Sequence, residues 1–307
     1  MKTTGTETDR KATAIGPGTS ERSIRVFFCL FLLLSVFFSF VGCGKEFPPT
    51  PGEGEVAVHF IDVGQGDAIL IRDGTKTVLI DTGNSQTEHT DALISYLRKR
   101  DVSVIDYLIL THPDEDHIGG AVRILECFSV SVCLLPDAVN DTPVFRNTLD
   151  ALDAASVYAA EAKAGDVYPL SAATFVILSP FGRETSQNDR SVVLRLTVGT
   201  RHFLFTGDAG DATERTLLAT YPESRLRADV LKVSHHGATG AGTDEFLDAV
   251  SPTYGVISCG KNNIYGHPAG ETVFRYGEHG IRLYRTDVSG SIVFLTDGTT
   301  VSVDTER

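Results

Sequence analysis

Four side chains of the kinds that bind metal ions lie within six consecutive positions of this 307-residue chain. They are His112, Asp114, Asp116 and His117, and they follow an apolar stretch at residues 108–110 that is typical of a β-strand. Alternate residues of an extended segment lie on the same side, so the first three can converge, and His117 joins them as the chain turns into a helix. A helix cap would require only one such residue, for example Asp116. The run therefore predicts a metal site.

The chemistry of these ligands limits the metal. Imidazole and carboxylate ligands suit zinc, manganese or iron, and the large share of carboxylates favours a harder ion such as manganese. None of the five cysteines lies in a Cys-x-x-Cys pair, so the sequence contains no thiolate zinc motif. A disulfide between Cys127 and Cys133 is an alternative to buried free thiols, and free thiols are the preferred interpretation.

Two later segments end in comparable side chains. Asp208 follows an apolar stretch at residues 203–205, and His235 and His236 follow another at residues 230–233. A Gly-Asp pair after a strand is usually a turn, whereas paired histidines at a strand end favour metal binding or proton transfer. Three apolar strands therefore end in metal-ligand chemistry, which predicts that their ends meet at one sheet edge.

Short apolar runs separated by turns dominate the chain from residue 55 onward, and they predict hairpin strands first and then strands that alternate with helices. The predicted strands span residues 56–61, 68–71, 78–80, 107–110, 130–135, 174–178, 191–198, 202–205, 230–233, 254–257 and 291–295. The predicted helices span residues 89–100, 117–127, 145–154, 212–220, 244–250 and 270–279. We therefore expect an α/β protein with two sheets packed face to face and with helices outside.

An uninterrupted apolar segment occupies residues 26–42, after several basic residues, and is typical of a signal-peptide core or a short membrane anchor. It ends in a small residue before Cys43, which resembles a bacterial lipobox in which the cysteine is acylated. An uncleaved anchor and a buried core helix are the alternatives, because the segment is shorter than the about 20 residues of an unassisted span. We expect a signal peptide or anchor at residues 1–43, a Pro/Gly-rich linker at residues 44–54 and a folded domain at residues 55–307, held at the outer face of the cell membrane.

The overall composition is that of a globular protein, with 42% hydrophobic and 22% charged residues. The formal net charge is −13, and the segment before the linker carries more basic than acidic side chains, so the rest of the chain is strongly acidic. An acidic surface argues against broad adhesion to nucleic acid, which depends on lysine and arginine displacing counterions. A metal-dependent nuclease remains compatible with this charge, because bound ions supply positive charge at the scissile phosphate.

Seven short motifs that contain or adjoin the candidate site residues follow one another along the chain. They read FIDVGQGDA at 60–68, LIDTG at 79–83, THPDEDHIGG at 111–120, NDRSVVL at 188–194, TGD at 206–208, SHHG at 234–237 and YGHP at 265–268. Together they resemble the metallo-β-lactamase superfamily, and within it the soluble hydrolase domain of ComEC-type DNA-internalisation competence proteins. Asp114 stands where the superfamily consensus has a histidine, and the ComEC-type branch shares this substitution.

The resemblance implies an αββα sandwich that holds two divalent ions, Zn²⁺ or Mn²⁺. The implied ligands are imidazoles and carboxylates from the three strand ends: His112 and Asp114 for one ion, Asp116, His117 and His235 for the other, and Asp208 as the bridge between them.

Less direct roles are implied for other residues. Asp81 would lie beneath the ligands as an acceptor that orients an imidazole. Asn188 stands nearest to the place of the usual third-motif histidine and would hold the first ion together with water. His236 and His267 would bind substrate or protonate the leaving group, with a structural role as the alternative. For Asp67, beside Gly-Gln-Gly, we expect a hairpin turn in which the carboxylate caps backbone N–H groups.

Two divalent ions at such a site would activate water and clamp the attacking and leaving oxygens, which suits phosphodiester hydrolysis. The resemblance makes DNA the expected substrate and DNA uptake the expected role, with Asp116 or Asp208 positioning the nucleophile and with a separate uptake channel as the partner. The alternatives are a hydrolase of a small extracellular ester, lactone or nucleotide, and a non-catalytic, metal-dependent DNA-binding module.

Overall fold

Two β-sheets pack face to face in the computed structural model, which describes residues 51–137 and 140–307. The strands are Val56–Phe60 (β1), Ile69–Asp73 (β2), Lys76–Ile80 (β3), Val104–Ile109 (β4), Ser129–Leu135 (β5), Tyr158–Glu161 (β6), Val167–Pro169 (β7), Ala173–Ser179 (β8), Val193–Val198 (β9), Arg201–Phe205 (β10), Val230–Lys232 (β11), Tyr254–Ile257 (β12), Arg282–Arg285 (β13), Ile292–Thr296 (β14) and Val301–Thr305 (β15). Among the described residues, the first sheet has the order β15-β14-β1-β2-β3-β4-β5-β6 and the second has the order β13-β12-β11-β10-β9-β8-β7.

Helices cover the outer face of each sheet. They are Thr87–Arg98 (α1), Glu115–Ile118 (α2), Ala121–Cys127 (α3), Pro143–Ala154 (α4), Asp211–Thr220 (α5), Glu223–Leu226 (α6), Asp244–Val250 (α7), Gly270–Glu278 (α8) and Thr286–Ser289 (α9). Leu93 of α1 and Ile124 of α3 pack with residues of the first sheet, and Leu217 of α5 and Phe246 of α7 pack with residues of the second. This order of layers confirms the predicted αββα sandwich.

The core between the two sheets is rich in phenylalanine. Phe60 of β1 and Phe294 of β14 come from the first sheet, and Phe203 and Phe205 of β10 come from the second. All four are at most 1% exposed, and the ring centroids of Phe60 and Phe205 are 6.1 Å apart across the interface. Burying one such side chain stabilises the fold by about 1.5–3 kcal/mol, so these rings help to hold the sheets together.

Both sheets combine antiparallel with parallel strands, and this determines where the site lies. The neighbours from β3 to β6 run parallel in the first sheet, and those from β10 to β13 run parallel in the second. Ligand sites of α/β proteins lie outside the carboxyl ends of such strands. The three predicted ligand segments directly follow β4, β10 and β11.

Most predicted elements are confirmed with small shifts of their ends, but four strands are absent from the prediction: β6, β7, β13 and β15. Each of them lies at an edge of a sheet, and most of their side chains are exposed or half-buried. An edge strand buries less surface than an inner one, so its sequence does not need the apolar run or alternation on which strand prediction depends.

The predicted single helix at residues 117–127 is wrong. The structure has two helices, α2 and α3, which are separated by Gly119 and Gly120. A Cβ atom on Gly119 would lie 2.3 Å from the backbone nitrogen of Ser85 and 2.5 Å from the carbonyl carbon of Asn84. The glycines interrupt the helix because the loop after β3 packs directly against the backbone there.

The predicted signal peptide or anchor, Cys43 and most of the linker lie outside the described residues, and the domain boundaries stay predictions. Within residues 51–137 and 140–307, no helix is both long and apolar enough to cross a membrane. Cys127, Cys133 and Cys259 are free thiols, which confirms that Cys127 and Cys133 are unpaired.

Candidate metal centre

The segment after β4 carries the first group of predicted ligands. His112 and His117 are buried, with 1% and 0% of their surface exposed, and their ring centroids are 4.1 Å apart. Nε2 of His112 lies 3.6 Å from Oδ2 of Asp114, whose side chain is 42% exposed. The Asp116 side chain is 24% exposed and lines an open cleft. A buried pair of imidazoles therefore lies beneath two carboxylates that reach toward solvent.

Asp81 lies at the end of β3 and orients one of these imidazoles. Its Oδ1 accepts a hydrogen bond from the backbone nitrogen of Thr111 at 2.7 Å, and its Oδ2 accepts one from the Thr111 hydroxyl at 2.7 Å. The same Oδ2 lies 2.8 Å from Nδ1 of His117. A carboxylate at this distance favours a proton on Nδ1, which leaves the Nε2 lone pair of His117 free to bind a metal.

Asp208, which follows β10, lies between the two imidazoles of the first segment. Its Oδ1 is 3.2 Å from Nε2 of His117, and its Oδ2 is 3.8 Å from Nε2 of His112. The carboxylate is buried, and the Asp208 backbone nitrogen donates to the Ser191 hydroxyl at 3.1 Å. One carboxylate from the second sheet thus contacts both histidines from the first.

The paired histidines after β11 occupy different positions. His236 is 1% exposed, and its Nε2 lies 3.2 Å from Oδ2 of Asp116, 3.3 Å from Nε2 of His117 and 3.6 Å from Oδ2 of Asp208. Its Nδ1 donates to the Ser258 carbonyl at 2.9 Å, so Nε2 is again the nitrogen with a free lone pair. The His236 side chain therefore belongs to the centre of the cluster, although its role is open from the sequence.

His235 lies at the rim of the same cluster. Its side chain is 41% exposed, and its Nε2 lies 3.7 Å from Oδ2 of Asp208. Burial, and also the nearby imidazoles of His236, His112 and His117, lower the pKa of His235, while Asp208 acts in the opposite direction. His235 stays a predicted ligand, with a more exposed position than His236.

The electrostatics of the cluster favour positive charge. Burial alone would lower the pKa of His236, but Asp208, Asp116 and Asp67 raise it to about 10. Burial would raise the pKa of Asp208, but His117 and His236 hold it well below its ordinary value. Buried carboxylates outnumber their permanent cationic partners here, so the site stabilises protons or metal ions.

The donor atoms of this cluster fit a divalent cation. Asp67, His117, Asp208 and His236 offer ligand atoms that all lie within 4.8 Å of one another. Nε2 of His112 and Oδ1 of Asp208 are buried and have no hydrogen-bond partner among the described residues. A buried polar atom without a partner is costly, and a bound cation removes that cost. Mixed imidazole and carboxylate donors suit zinc, manganese or iron.

A buried ion pair beneath the cluster has no counterpart among the sequence predictions. Nζ of Lys232, the last residue of β11, lies 2.8 Å from Oδ2 of Asp67, and both side chains are at most 2% exposed. Asp67 therefore does not act as the expected hairpin cap; its carboxylate joins the first sheet to the second. A Cβ on Gly66 would lie 2.1 Å from the Asp116 carbonyl oxygen, so the Gly-Gln-Gly turn lets Asp67 approach the ligand segment. The sequence signal for this ion pair is a lysine within an apolar strand, because a buried lysine requires a partner.

The remaining predicted site residues lie at the margin of the cluster. His267 is half-buried, and its ring is stacked on that of His236, with centroids 6.2 Å apart and planes inclined by 25°. Asn188 lies in a short 3-10 helix, and no described hydrogen bond joins its side chain to the His/Asp cluster. The predicted role of Asn188 as a ligand therefore stays a prediction.

An open cleft of about 600 Å³ lies beside Asp116. Its walls carry amide side chains together with both signs of charge, among them Gln65, Lys261 and Asp116, and the ring of Tyr265 also lines it. Lys261 forms no ion pair with any described residue, so its ammonium group is available to an anionic ligand. The cleft is neither closed nor lined mainly by apolar side chains.

A comparison with known families matches the part of the chain that carries most of the candidate site. The sequence profile of the metallo-β-lactamase superfamily matches residues 61–261, from the end of β1 to the loop after β12. The chain belongs to the metallo-β-lactamase superfamily. Two solved structures are similar in architecture alone: the metallo-β-lactamase fold protein YhfI from Bacillus subtilis (TM-score 0.52, 13% identity, 79% of this chain and 99% of that one) and the CmlA β-hydroxylase E377D mutant (TM-score 0.51, 14% identity, 90% of this chain and 60% of that one).

Curated relatives with higher identity include ComE operon protein 3 and competence protein ComA, which confirms the predicted resemblance. ComE operon protein 3 of Bacillus subtilis (strain 168) is 34% identical over 265 residues, which cover 81% of this chain and 34% of that protein. Competence protein ComA of Neisseria gonorrhoeae is 32% identical over 248 residues, which cover 80% of this chain and 33% of that protein. The chain thus spans about a third of the length of these relatives.

Proposed function

We propose that this superfamily member is a dinuclear-metal phosphodiesterase that hydrolyses DNA at the outer face of the cell membrane, in a DNA-uptake role. The observation that carries the proposal is the position of Asp208. Its two carboxylate oxygens lie 3.2 Å from Nε2 of His117 and 3.8 Å from Nε2 of His112. A carboxylate shared between two imidazoles is what a bridging ligand of two ions requires.

The ligands divide into two groups that meet at this carboxylate. His112, Asp114 and Asp208 would hold one ion. The second ion would be held by Asp208 together with Asp116, His117 and one of the paired histidines, His235 or His236. Ions bound there supply Lewis-acid activation of a water molecule and of a phosphate oxygen.

Asp116 is placed to orient the attacking water. Its carboxylate borders both the cluster and the cleft. Burial would raise its pKa, but His236 and His117 lower it to about 2, so the group is ionised and accepts hydrogen bonds at neutral pH. An acceptor at the mouth of the site can hold a water proton while the oxygen faces the substrate.

His267 acts on the substrate side of the site. Burial and the neighbouring imidazoles of His236 and His235 lower the pKa of His267, so its ring is neutral at pH 7. A neutral imidazole donates one N–H bond and accepts one proton. The N–H of His267 would therefore donate a hydrogen bond to a phosphate oxygen or a proton to the leaving oxygen.

The shape of the cleft and the identity of the relatives support DNA as the substrate. An open cleft admits a chain that extends beyond the reacting bond, whereas a small ester or lactone is usually bound in a closed pocket. The unpaired ammonium group of Lys261 at the cleft can contact a phosphate. DNA binding should therefore weaken as the salt concentration rises.

The direct test uses the full-length protein in detergent, stripped of metal with a chelator and reloaded with manganese, zinc or magnesium. We expect close to two ions per chain and hydrolysis of single-stranded, double-stranded or nicked DNA after loading. Asp208→Asn should lose both metal and activity. The matched control is Asp211→Asn, which alters a carboxylate that is 59% exposed and paired with Arg215.

Two outcomes would contradict this proposal in different ways. Metal-loaded protein that leaves all DNA intact and hydrolyses a small ester, lactone or nucleotide would show the alternative enzyme. Protein that binds DNA only when loaded with metal and never cleaves it would show a binding module for an uptake channel.

The location rests on Cys43 and is tested separately. We expect the protein to fractionate with membranes and to be accessible to protease from outside the cell. Cys43→Ser should abolish acylation and release the protein from the membrane. If processing and membrane association are unchanged in this variant, the segment at residues 26–42 is an uncleaved anchor and the lipid attachment is wrong.

A further inference from the structure

The loop between β12 and α8 has a defined shape and yet exposes two large side chains. The amide of Asn263 donates to the carbonyls of Gly260 at 2.9 Å and His267 at 2.6 Å, and its Oδ1 accepts from the backbone nitrogen of His267 at 3.0 Å. Within this braced loop, Ile264 is 92% exposed and Tyr265 is 62% exposed. Bonds that hold a loop so that it presents apolar surface indicate a contact with another molecule.

The ring of Tyr265 continues a row of aromatic rings that begins in the metal cluster. The centroids of Tyr265 and His267 are 5.7 Å apart, and their planes are inclined by 24°. His267 stacks in turn on His236 at 6.2 Å and 25°. Three rings, successively inclined by 24° and 25°, thus lead from the candidate metal ligands to solvent, and the outermost is a phenol ring whose exposed surface borders the cleft.

Gln65 is a fixed part of the cleft wall. Oε1 of Gln65 accepts from the backbone nitrogen of Gly260 at 3.1 Å, which holds the amide in place. Its Nε2 is buried and has no hydrogen-bond partner among the described residues. Gln65 and Tyr265 line the same cleft of about 600 Å³, which is within the usual size of small-ligand sites. An exposed aromatic ring on the wall of an open cleft is the platform on which the bases of a single strand stack.

We infer that Tyr265 forms a nucleobase subsite, in which the base adjoining the scissile phosphodiester stacks on its ring. This subsite rests on the proposed function, because the reacting phosphate must lie at the metal cluster for the base to reach the ring. Stacking depends on the face of the base and not on its identity, so the subsite accepts all four bases and discriminates against abasic nucleotides.

The test is a double-mutant cycle between Tyr265 and one base of the ligand. The ligand is a short single-stranded oligonucleotide, intact or with one abasic nucleotide placed at each position in turn. Binding to the full-length protein in detergent is measured by fluorescence anisotropy, with metal and with chelator. The variants are Tyr265→Ala and Tyr265→Phe, and the matched control is Tyr158→Ala, which removes a tyrosine that is 69% exposed on β6 and outside the cleft.

For the wild type, one abasic position should weaken binding by about tenfold, the size expected from loss of one stacked base. Tyr265→Ala should weaken binding of the intact oligonucleotide by a similar factor. In this variant, the abasic nucleotide at that position should weaken binding no further. Tyr265→Phe and Tyr158→Ala should bind like the wild type. Metal content should not change in any variant, which separates a lost contact from a disturbed site.

The inference is overturned if Tyr265→Ala binds the intact oligonucleotide as the wild type does, or if the abasic penalty persists in that variant. If Tyr265→Ala loses metal, Tyr265→Leu, which keeps an apolar side chain without the ring, is measured in its place and the same results are expected. If the double-mutant cycle gives the expected result but no DNA is hydrolysed, the phosphodiesterase activity is refuted and the nucleobase subsite is supported. Hydrolysis that ignores both Tyr265 and the abasic position would refute the subsite alone, and absence of all binding would refute both.

Discussion

Three residues of the candidate metal centre have left-handed backbone conformations. Asp81, His235 and His236 have φ values of 58°, 47° and 53°. Each such residue costs about 1–3 kcal/mol and persists only where its surroundings hold it. The carboxylate of Asp81 is fixed by its bonds to Thr111, and the backbone nitrogen of His235 donates to the Gly207 carbonyl at 3.1 Å. The bends after β3 and β11 bring these side chains to the cluster, and the surrounding hydrogen bonds hold the strained backbone in place.

The two adjacent histidines provide a matched comparison of metal ligation. Both have left-handed backbones, and asparagine tolerates that conformation well, so His236→Asn and His235→Asn disturb the chain equally. We expect His236→Asn to weaken metal affinity by at least about tenfold more than His235→Asn, because only the Nε2 of His236 lies at the buried centre. Titration with zinc or manganese against a competing chelator measures this difference. A larger loss for His235→Asn would make His235 the ligand.

At the residue scale, the sequence predicts most of the candidate ligands but not every side chain that supports them. His112, Asp114 and Asp208 stand out because ligand chemistry directly follows an apolar strand. The choice between His235 and His236 depends on a left-handed turn, which no periodicity encodes. The ion pair of Asp67 with Lys232 joins residues far apart in the chain, so only the packing of the two sheets reveals it.

At the scale of elements, the predicted strands are the inner strands of the two sheets. Inner strands are buried on both faces and read as apolar runs, as Val78 to Ile80 do in β3. The four missed strands are the four edges, and β6, which reads YAAE, has mostly exposed side chains. Sheet order and width therefore could not be predicted, whereas the strands that carry the site could.

The link between β11 and the loop after β1 depends on one buried ion pair. Burial alone would raise the pKa of Asp67, but Lys232 and His236 hold it below its ordinary value. Lys232→Met leaves this carboxylate buried without its partner, and we expect a loss of about 3–5 kcal/mol in the free energy of unfolding. Urea denaturation of the metal-free protein measures it.

Two further variants define the cause of that loss. Asp67→Asn combined with Lys232→Met should recover part of the stability, because it removes the buried charge. Lys76→Met, which breaks the surface pair with Asp106, should change stability much less, because that lysine is 45% exposed. If Lys232→Met is no more harmful than Lys76→Met, the ion pair does not join the sheets.

The contact of β1 with α1 makes stability depend on pH. Nδ1 of His59 lies 3.0 Å from the Tyr96 hydroxyl, and burial, together with Arg100 and Arg72, lowers the pKa of His59 from 6.5 to about 3. The unfolded chain therefore binds the proton first, so this contribution is complete above pH 6.5 and is lost as the pH falls toward 3. Between pH 7.5 and pH 5, the wild type should lose about 2 kcal/mol more than His59→Gln. Urea denaturation of both metal-free proteins checks this, and parallel pH profiles would contradict it.

At the scale of the whole molecule, the candidate metal centre lies where the two sheets meet. His112 and His117 follow β4 of the first sheet, whereas Asp208 and His236 follow β10 and β11 of the second. The alternation of strands and helices predicts two layers, but not the alignment that brings these four side chains together. Packing of the phenylalanine-rich core sets that alignment.

A metal ion that bridges the sheets should stabilise the entire domain. An ion that binds only the folded state contributes about 2.7 kcal/mol when its free concentration is 100 times its dissociation constant. For a domain of this size, that corresponds to a rise of about 5–10 °C in the melting temperature. We expect this shift when manganese or zinc is added to the chelated protein in differential scanning calorimetry. Asp208→Asn should abolish the shift, because the shared carboxylate is lost, whereas Asp211→Asn should keep it. A shift that survives Asp208→Asn would place the bound metal elsewhere and would remove the physical basis of the dinuclear centre.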